Sequence, residues 1–201
     1  TVTELDKANQ VIKGASGTRY EYKTLVLALG AVTTYFGIEG LDHYAYGIKS
    51  HDEIVRLQQH LIESFSKPNA ADSHFLIIGA GPTGVELASS LGEYLKHLKQ
   101  HFGQPEPRAS ISIIEAAPRV LPRMSEKASA LVAERLKTLG VHVETNKKVE
   151  AETADSLIVS GRPIKSHTVI WTSGVTNNPF FKSNAAQFEL SPNGKVVVDS
   201  H

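Results

Sequence analysis

The chain has 201 residues, enough for one large domain or one and a half ordinary ones around a real hydrophobic core. Its 21 basic and 21 acidic residues cancel, so bulk charge points to neither a nucleic acid nor an anionic membrane surface as partner. The absence of cysteine excludes disulfide scaffolds, Cys-ligated zinc and any thiol–disulfide redox centre built from these residues.

Residues 1–30 read as β structure: Val11-Ile12, a turn at Gly14-Ala15-Ser16-Gly17, Tyr20 to Tyr22, and a buried apolar run, Leu25-Val26-Leu27-Ala28-Leu29, ending in Gly30. Ser50-His51-Asp52-Glu53 is an S-x-x-E capping box. Ile54, Leu57, Leu61 and Phe65 follow at helical spacing until Lys67-Pro68, which predicts an amphipathic linker helix over 51–68 with a packing role.

The stretch F-L-I-I-G-A-G-P-T-G-V-E (75–86) carries the chemistry. Four apolar residues make a short buried strand, and Gly79, Gly81 and Gly84 then fall in G-x-G-x-x-G spacing. Gly79 allows the tight turn, Gly81 lets the backbone approach a pyrophosphate, and Gly84 lets the next helix pack on the strand. That helix, expected over about 83–99, aims its unpaired N–H groups at the phosphates, and Pro82 suits its first turn because it has no N–H to waste.

A polar stretch with Gly103, Pro105 and Pro107 breaks the helix, and a strand over 111–114 ends in Glu115. Strand, helix, strand in this order predicts a right-handed βαβ crossover with parallel strands. Glu115 is placed to accept hydrogen bonds from an adenosine ribose, and its charge favours NADH over NADPH. It lies 36 positions beyond Gly79 (115 − 79) rather than ~20, the excess being the excursion at 103–108. Arg119 and Arg123 are read as solvated or as phosphate contacts. Glu86, on the first turns of the helix, either faces the nicotinamide end or simply suits the helix N-terminus. Ser125 caps a further helix running to Leu139, Gly140 stops it, and Val141-His142-Val143 is the next strand. Leu157-Ile158-Val159, a turn at Gly161 and the buried run Val169-Ile170-Trp171 complete an α/β fold, a Rossmann-like parallel sheet with crossover helices plus a β-meander.

Residues 17–30 and 161–174 align in length, in Thr24 with Thr168, in their apolar triplets and in Gly30 with Gly174. Each is a meander feeding a buried strand that ends in glycine, as though two domains of similar build were closed the same way. The nine histidines show no metal-site spacing, so no metal is expected, and no Ser/His/Asp arrangement can be argued.

The runs G-A-G-P-T-G-V-E-L-A (79–88), I-I-E-A-A-P-R-V-L-P (113–122), L-V-L-A-L-G-A-V-T-T-Y-F-G-I-E-G (25–40) and V-I-W-T-S-G-V (169–175) resemble those of pyridine nucleotide–disulfide oxidoreductase flavoproteins. Within that superfamily they are most similar to type II NADH dehydrogenases. The resemblance covers nearly the whole chain. It implies a FAD/NAD(P)-binding domain type in which an NADH-binding domain is inserted into a FAD domain, and in which hydride passes from nicotinamide to flavin and on to an acceptor, quinone.

Carried over by residue, the resemblance assigns Gly79, Gly81, Pro82, Thr83, Gly84 and Glu115 to the NADH site. Glu86 becomes the catalytic acid beside the nicotinamide–flavin junction, Gly174 the glycine passing close to NADH, and Ala28 with Gly30 the approach to FAD. It implies a partial FAD-domain segment at 1–50, the linker helix at 51–68, the NADH-binding domain at 69–176 and a return segment at 177–201. The FAD fingerprint, the later G-D motif and the membrane-anchoring part find no match, so a fragment is implied that neither retains FAD nor turns over alone. Its expected partners are NADH, the missing FAD-domain segments of the same polypeptide and quinone, with homodimerisation left open and no nucleic acid. No apolar run approaches the ~20 residues that span a bilayer and no signal peptide is evident, so a cytoplasmic location is expected, the parent lying peripherally on the cytoplasmic membrane. Thr1 and His201 read as cut ends. Competing readings are a ferredoxin or disulfide reductase of the same superfamily and a non-catalytic NADH-binding module.

Overall fold

Residues 1–66, 74–103, 110–192 and 194–200 are described by the computed structural model. The Lys67-Pro68 helix stop, the expected domain start at 69 and the excursion after Gly103 lie outside the described residues. In chain order, β1 (Val2–Asp6), β2 (Val11–Gly14) and β3 (Arg19–Glu21) are followed by the short β4 (Ala31–Thr33). Two helices, α1 (Leu41–Tyr44) and α2 (His51–Ser66), precede β5 (His74–Ile78). Then come α3 (Pro82–Phe102), β6 (Ser110–Ile114), α4 (Glu126–Thr138) and β7 (Val141–Glu144). The meander β8 (Val149–Glu152), β9 (Ser156–Val159) and β10 (Arg162–Lys165) leads to β11 (Thr168–Trp171). β12 (Val175–Asn177) and α5 (Pro179–Ser183) follow. These elements divide into two units, residues 34–174 and residues 1–33 with 175–201.

The larger unit is built on a parallel sheet of order β11-β5-β6-β7. Its strands read as unbroken apolar runs because both faces are covered. On one face Phe75, Ile77, Ile111, Ile113 and Ile170 pack under Leu57 and Leu61 of α2 and Ala88, Leu91 and Leu95 of α3. On the other, Leu76, Ile78, Ile114, Val169 and Trp171 meet Val149, Leu157 and Val159 of the meander and Leu41 of α1. Consecutive strand residues thus feed opposite cores, as the two-residue period requires.

The capping box expected at the start of α2 is formed. The Glu53 N–H donates to Ser50 Oγ at 3.2 Å, while Glu53 Oε2 accepts from the N–H groups of Lys49 and Ser50 at 2.6 and 2.8 Å. Ser125 caps α4 by accepting from the Ala128 N–H at 3.2 Å. α3 runs on to Phe102, past the Lys99 end expected from its apolar spacing, and stops where Gly103 takes a left-handed conformation.

In the smaller unit β1, β2 and β3 form an antiparallel sheet, and β4 pairs antiparallel with β12. Asn184 ties its two chain segments together: Oδ1 accepts from the Leu5 N–H at 2.8 Å, and Nδ2 donates to the carbonyls of Thr3 and Phe180 at 3.2 and 3.0 Å. One sequence expectation fails here. The run from Leu25 to Leu29 is not a strand and is not buried; Val26 is 83% exposed. Apolar residues favour strands only where a neighbouring strand takes up their backbone groups, and no described strand of this unit lies beside this run in that way.

Candidate functional site

Sequence and fold converge at the carboxyl ends of β11, β5 and β6. As β5 ends, Gly79 turns the chain with φ +106°, a conformation closed to side chains, and its N–H donates to the Ile114 carbonyl at the end of β6 at 2.8 Å. A Cβ on Gly79 would collide with Ser173 Oγ, in the loop after β11. Gly81 is the N-cap of α3 and sits in extended backbone, with φ −71° and ψ 178°. A Cβ built there meets no atom within 4 Å, so the position opens onto free space. Pro82 is exposed at the first helical position, and the first helical hydrogen bond is Val85 N–H to the Gly81 carbonyl at 3.0 Å. The N–H groups of Thr83 and Gly84 therefore precede the helical ladder and face the helix's positive end. Gly84 is buried, and a Cβ there would strike the Gly79 carbonyl oxygen; the helix can lie on the loop only with hydrogen at this position.

A second strand supplies the acid. Glu115 follows β6, its N–H donating to the Glu144 carbonyl at 2.8 Å and its carbonyl accepting from the Lys147 N–H at 3.0 Å. Its carboxylate is held at both ends: Oε2 accepts from the Ala80 N–H at 2.6 Å and Oε1 from the Ala117 N–H at 2.7 Å. Ala80 lies within the glycine fingerprint, so the acid and the loop form one hydrogen-bonded assembly. Each oxygen keeps a further lone pair for a hydroxyl donor.

The third strand closes the loop from the other side. Thr172 Oγ1 donates to the carbonyls of Ile78 and Gly79, at 2.8 and 3.1 Å, locking the loop to the end of β11. Gly174 follows, with its carbonyl accepting from the Thr34 N–H at 3.1 Å. A Cβ at Gly174 would lie 2.6 Å from both Phe36 Cε2 and the Thr34 carbonyl oxygen. The segment carrying Phe36 is held by Trp171, whose Nε1 donates to the Thr34 carbonyl at 2.8 Å.

The structure thus brings together Gly79, Gly81, Pro82, Thr83, Gly84, Glu115 and Gly174. Glu86 is exposed on α3, and its side chain makes no hydrogen bond among the described residues. Arg119 is half-buried, and its guanidinium donates to the carbonyls of Leu121, Pro122 and Met124 at 3.2, 2.9 and 2.9 Å. Arg123 is exposed. Ala28 and Gly30 belong to the smaller unit, in an exposed stretch without regular structure.

Sequence reasoning did not single out Thr172, Phe36 or Glu152. Thr172 stood in the quoted W-T-S-G run, but its partners are 93 and 94 positions away. Glu152 is buried on β8, and burial pushes its carboxyl up to about 8 against the pull of the Arg56 guanidinium. Among the described residues no group of three His, Asp or Glu side chains could hold a metal ion, and no helix is long and apolar enough to cross a membrane.

The family model described as pyridine nucleotide-disulphide oxidoreductase matches residues 1–201. The chain is 31% identical, over 217 aligned positions, to the type II NADH:quinone oxidoreductase Ndh of Mycobacterium tuberculosis, covering 98% of this chain and 47% of that protein. It is 27% identical over 207 positions to the type II NADH:quinone oxidoreductase of Staphylococcus haemolyticus, covering 98% and 50%. Its fold resembles NDH2 from Plasmodium falciparum solved in complex with NADH, with a TM-score of 0.77 and 24% identity over 93% of this chain and 42% of that one. The chain spans about half the length of the curated relatives it matches.

Proposed function

Because the chain belongs to the pyridine nucleotide-disulphide oxidoreductase family, we propose that its parallel-sheet unit is the NADH-binding domain of a FAD-dependent NADH:acceptor oxidoreductase, with quinone as acceptor. The observation that carries this reading is the Glu115 carboxylate, clamped to the Ala80 N–H of the glycine loop at 2.6 Å beside the open position at Gly81. A phosphate fits where Gly81 leaves room for it, against the helix-end N–H groups of Thr83 and Gly84. A ribose beside it meets an acceptor-only carboxylate that its hydroxyls satisfy. A 2′-phosphate in that place would face a fixed negative charge, so NADH is preferred.

These residues bind and orient; the dihydronicotinamide supplies the hydride. Glu86, exposed on α3, is the carboxylate available to accept a hydrogen bond from the carboxamide or ribose of the nicotinamide half. The described residues do not by themselves fit a flavin: Ala28 and Gly30 lie in an exposed coil with no phosphate-binding loop of their own. Flavin retention and turnover are assigned to a longer polypeptide, whose remaining FAD-domain segments are the partner that covers Leu25, Val26 and Leu29 and whose association with the membrane is peripheral.

Calorimetric titration of the chain with NADH and NADPH tests the site. NADH is expected to bind more tightly by at least about tenfold, and Glu115→Ala to erase most of that difference. Tighter binding of NADPH by the unaltered chain would refute the reading.

A further inference from the structure

The strand order gives the site a direction. The glycine loop follows β5, Glu115 follows β6 on one flank, and Thr172, Ser173 and Gly174 follow β11 on the other. A dinucleotide with its adenosine ribose on Glu115 and its pyrophosphate on the loop must carry its second half across the end of β11, because the crevice runs along the carboxyl ends of the strands. What stands at that end is the ring of Phe36. It lies against Gly174, where a Cβ would come within 2.6 Å of both this ring and the Thr34 carbonyl oxygen, and its edge meets Trp171 with ring centroids 6.3 Å apart.

Three features make this ring unusual. It is 67% exposed, although a phenylalanine at the end of a packed strand gains by burial. Its backbone is left-handed, with φ +54°, a conformation in which a bulky residue is strained. It is nevertheless held firmly: Thr34 is bonded to both Gly174 and Trp171, at 3.1 and 2.8 Å, and the Tyr35 ring lies 6.0 Å from the Trp171 ring. Strain maintained by surrounding structure, around an aromatic face left open to solvent, marks a residue kept for a ligand rather than for the core.

We propose that Phe36 is the positioning residue for the nicotinamide half of the nucleotide, its exposed ring forming the flat wall against which the nicotinamide ring lies. This rests on the reading of the glycine loop and Glu115 as the adenosine-side site. A planar ring gains from contact with an aromatic wall, and the wall keeps water from one side of it.

Calorimetry on the full chain with NADH and with ADP-ribose, the same nucleotide lacking nicotinamide, separates the two ideas. Phe36→Ala is expected to weaken NADH about fivefold to tenfold and to leave ADP-ribose within about twofold, while Phe36→Tyr retains both affinities. Phe36→Gly, which is at ease with a left-handed backbone, is expected to show the same selective loss, so that misfolding of the alanine variant cannot imitate the result. An unchanged ratio of NADH to ADP-ribose affinity in both variants, including loss of both ligands together, overturns the role of Phe36 and leaves the adenosine-side reading standing on the unaltered chain. Failure of the unaltered chain to bind ADP-ribose overturns that reading and the inference with it.

Discussion

Glu152 sits on β8 with 6% of its surface exposed and its Oε2 without a hydrogen-bond partner among the described residues. Burial raises its folded-state pKa from the ordinary 4.5 to about 8, with Arg56 pulling the other way. The folded chain therefore holds a proton that the unfolded chain releases across this interval. Stability from this group is complete below about 4.5, declines as pH rises and is exhausted above about 8. The thermal midpoint is expected to fall by several degrees between pH 5 and pH 8, at about 2–4 °C for each kcal/mol in a chain of this size. Glu152→Gln, neutral at every pH, should flatten that slope, and matching pH profiles for the two proteins would discount it. Nothing in the sequence marked Glu152, because an E-x-E pattern on a strand looks solvated until α1 and the 34–40 segment cover it. Glu115 was legible, since the end of the strand after a glycine fingerprint is where a ribose acid belongs.

At the scale of elements, β5, the glycine loop and α3 behave as one piece whose glycines do different work. Gly84 is a packing glycine, for a methyl there meets the Gly79 carbonyl; Gly81 has no such neighbour and an ordinary φ of −71°. Gly84→Ala is expected to cost about 1–3 kcal/mol of stability as the helix is pushed off the loop. Gly81→Ala should leave the melting temperature nearly unchanged while reducing NADH affinity at least about tenfold, because its methyl occupies the space proposed for the pyrophosphate. Melting curves and titrations of the two variants check the contrast; equal stability losses would show that Gly81 too serves packing. The order strand, helix, strand and the caps of α2 and α4 were readable from local signals. The Thr172 lock was not, since it joins the end of β11 to a loop more than ninety positions earlier.

For the whole molecule, the exposed 25–29 run is the telling region. Val26→Asp is expected to leave the melting temperature of this chain within about 1 °C, because Val26 is already 83% exposed. In the longer polypeptide proposed above, the same change should lower flavin retention; full retention there would argue that nothing packs on this run. The aligned passages 17–30 and 161–174 express the point within one chain. Both carry an apolar triplet ahead of a closing glycine, and both are competent for a strand. The second becomes β11, with Ile170 fully buried, because β5 lies beside it in parallel register and helices cover it. The first remains coil. Local sequence by itself determined the turns, the caps, the apolar runs and the glycine spacing, all set by interactions over a few residues. Which run became a strand, which carboxylate was buried and which aromatic ring came to stand over Gly174 were decided by tertiary structure, because a strand's hydrogen bonds and a side chain's desolvation depend on partners that only the folded chain brings near.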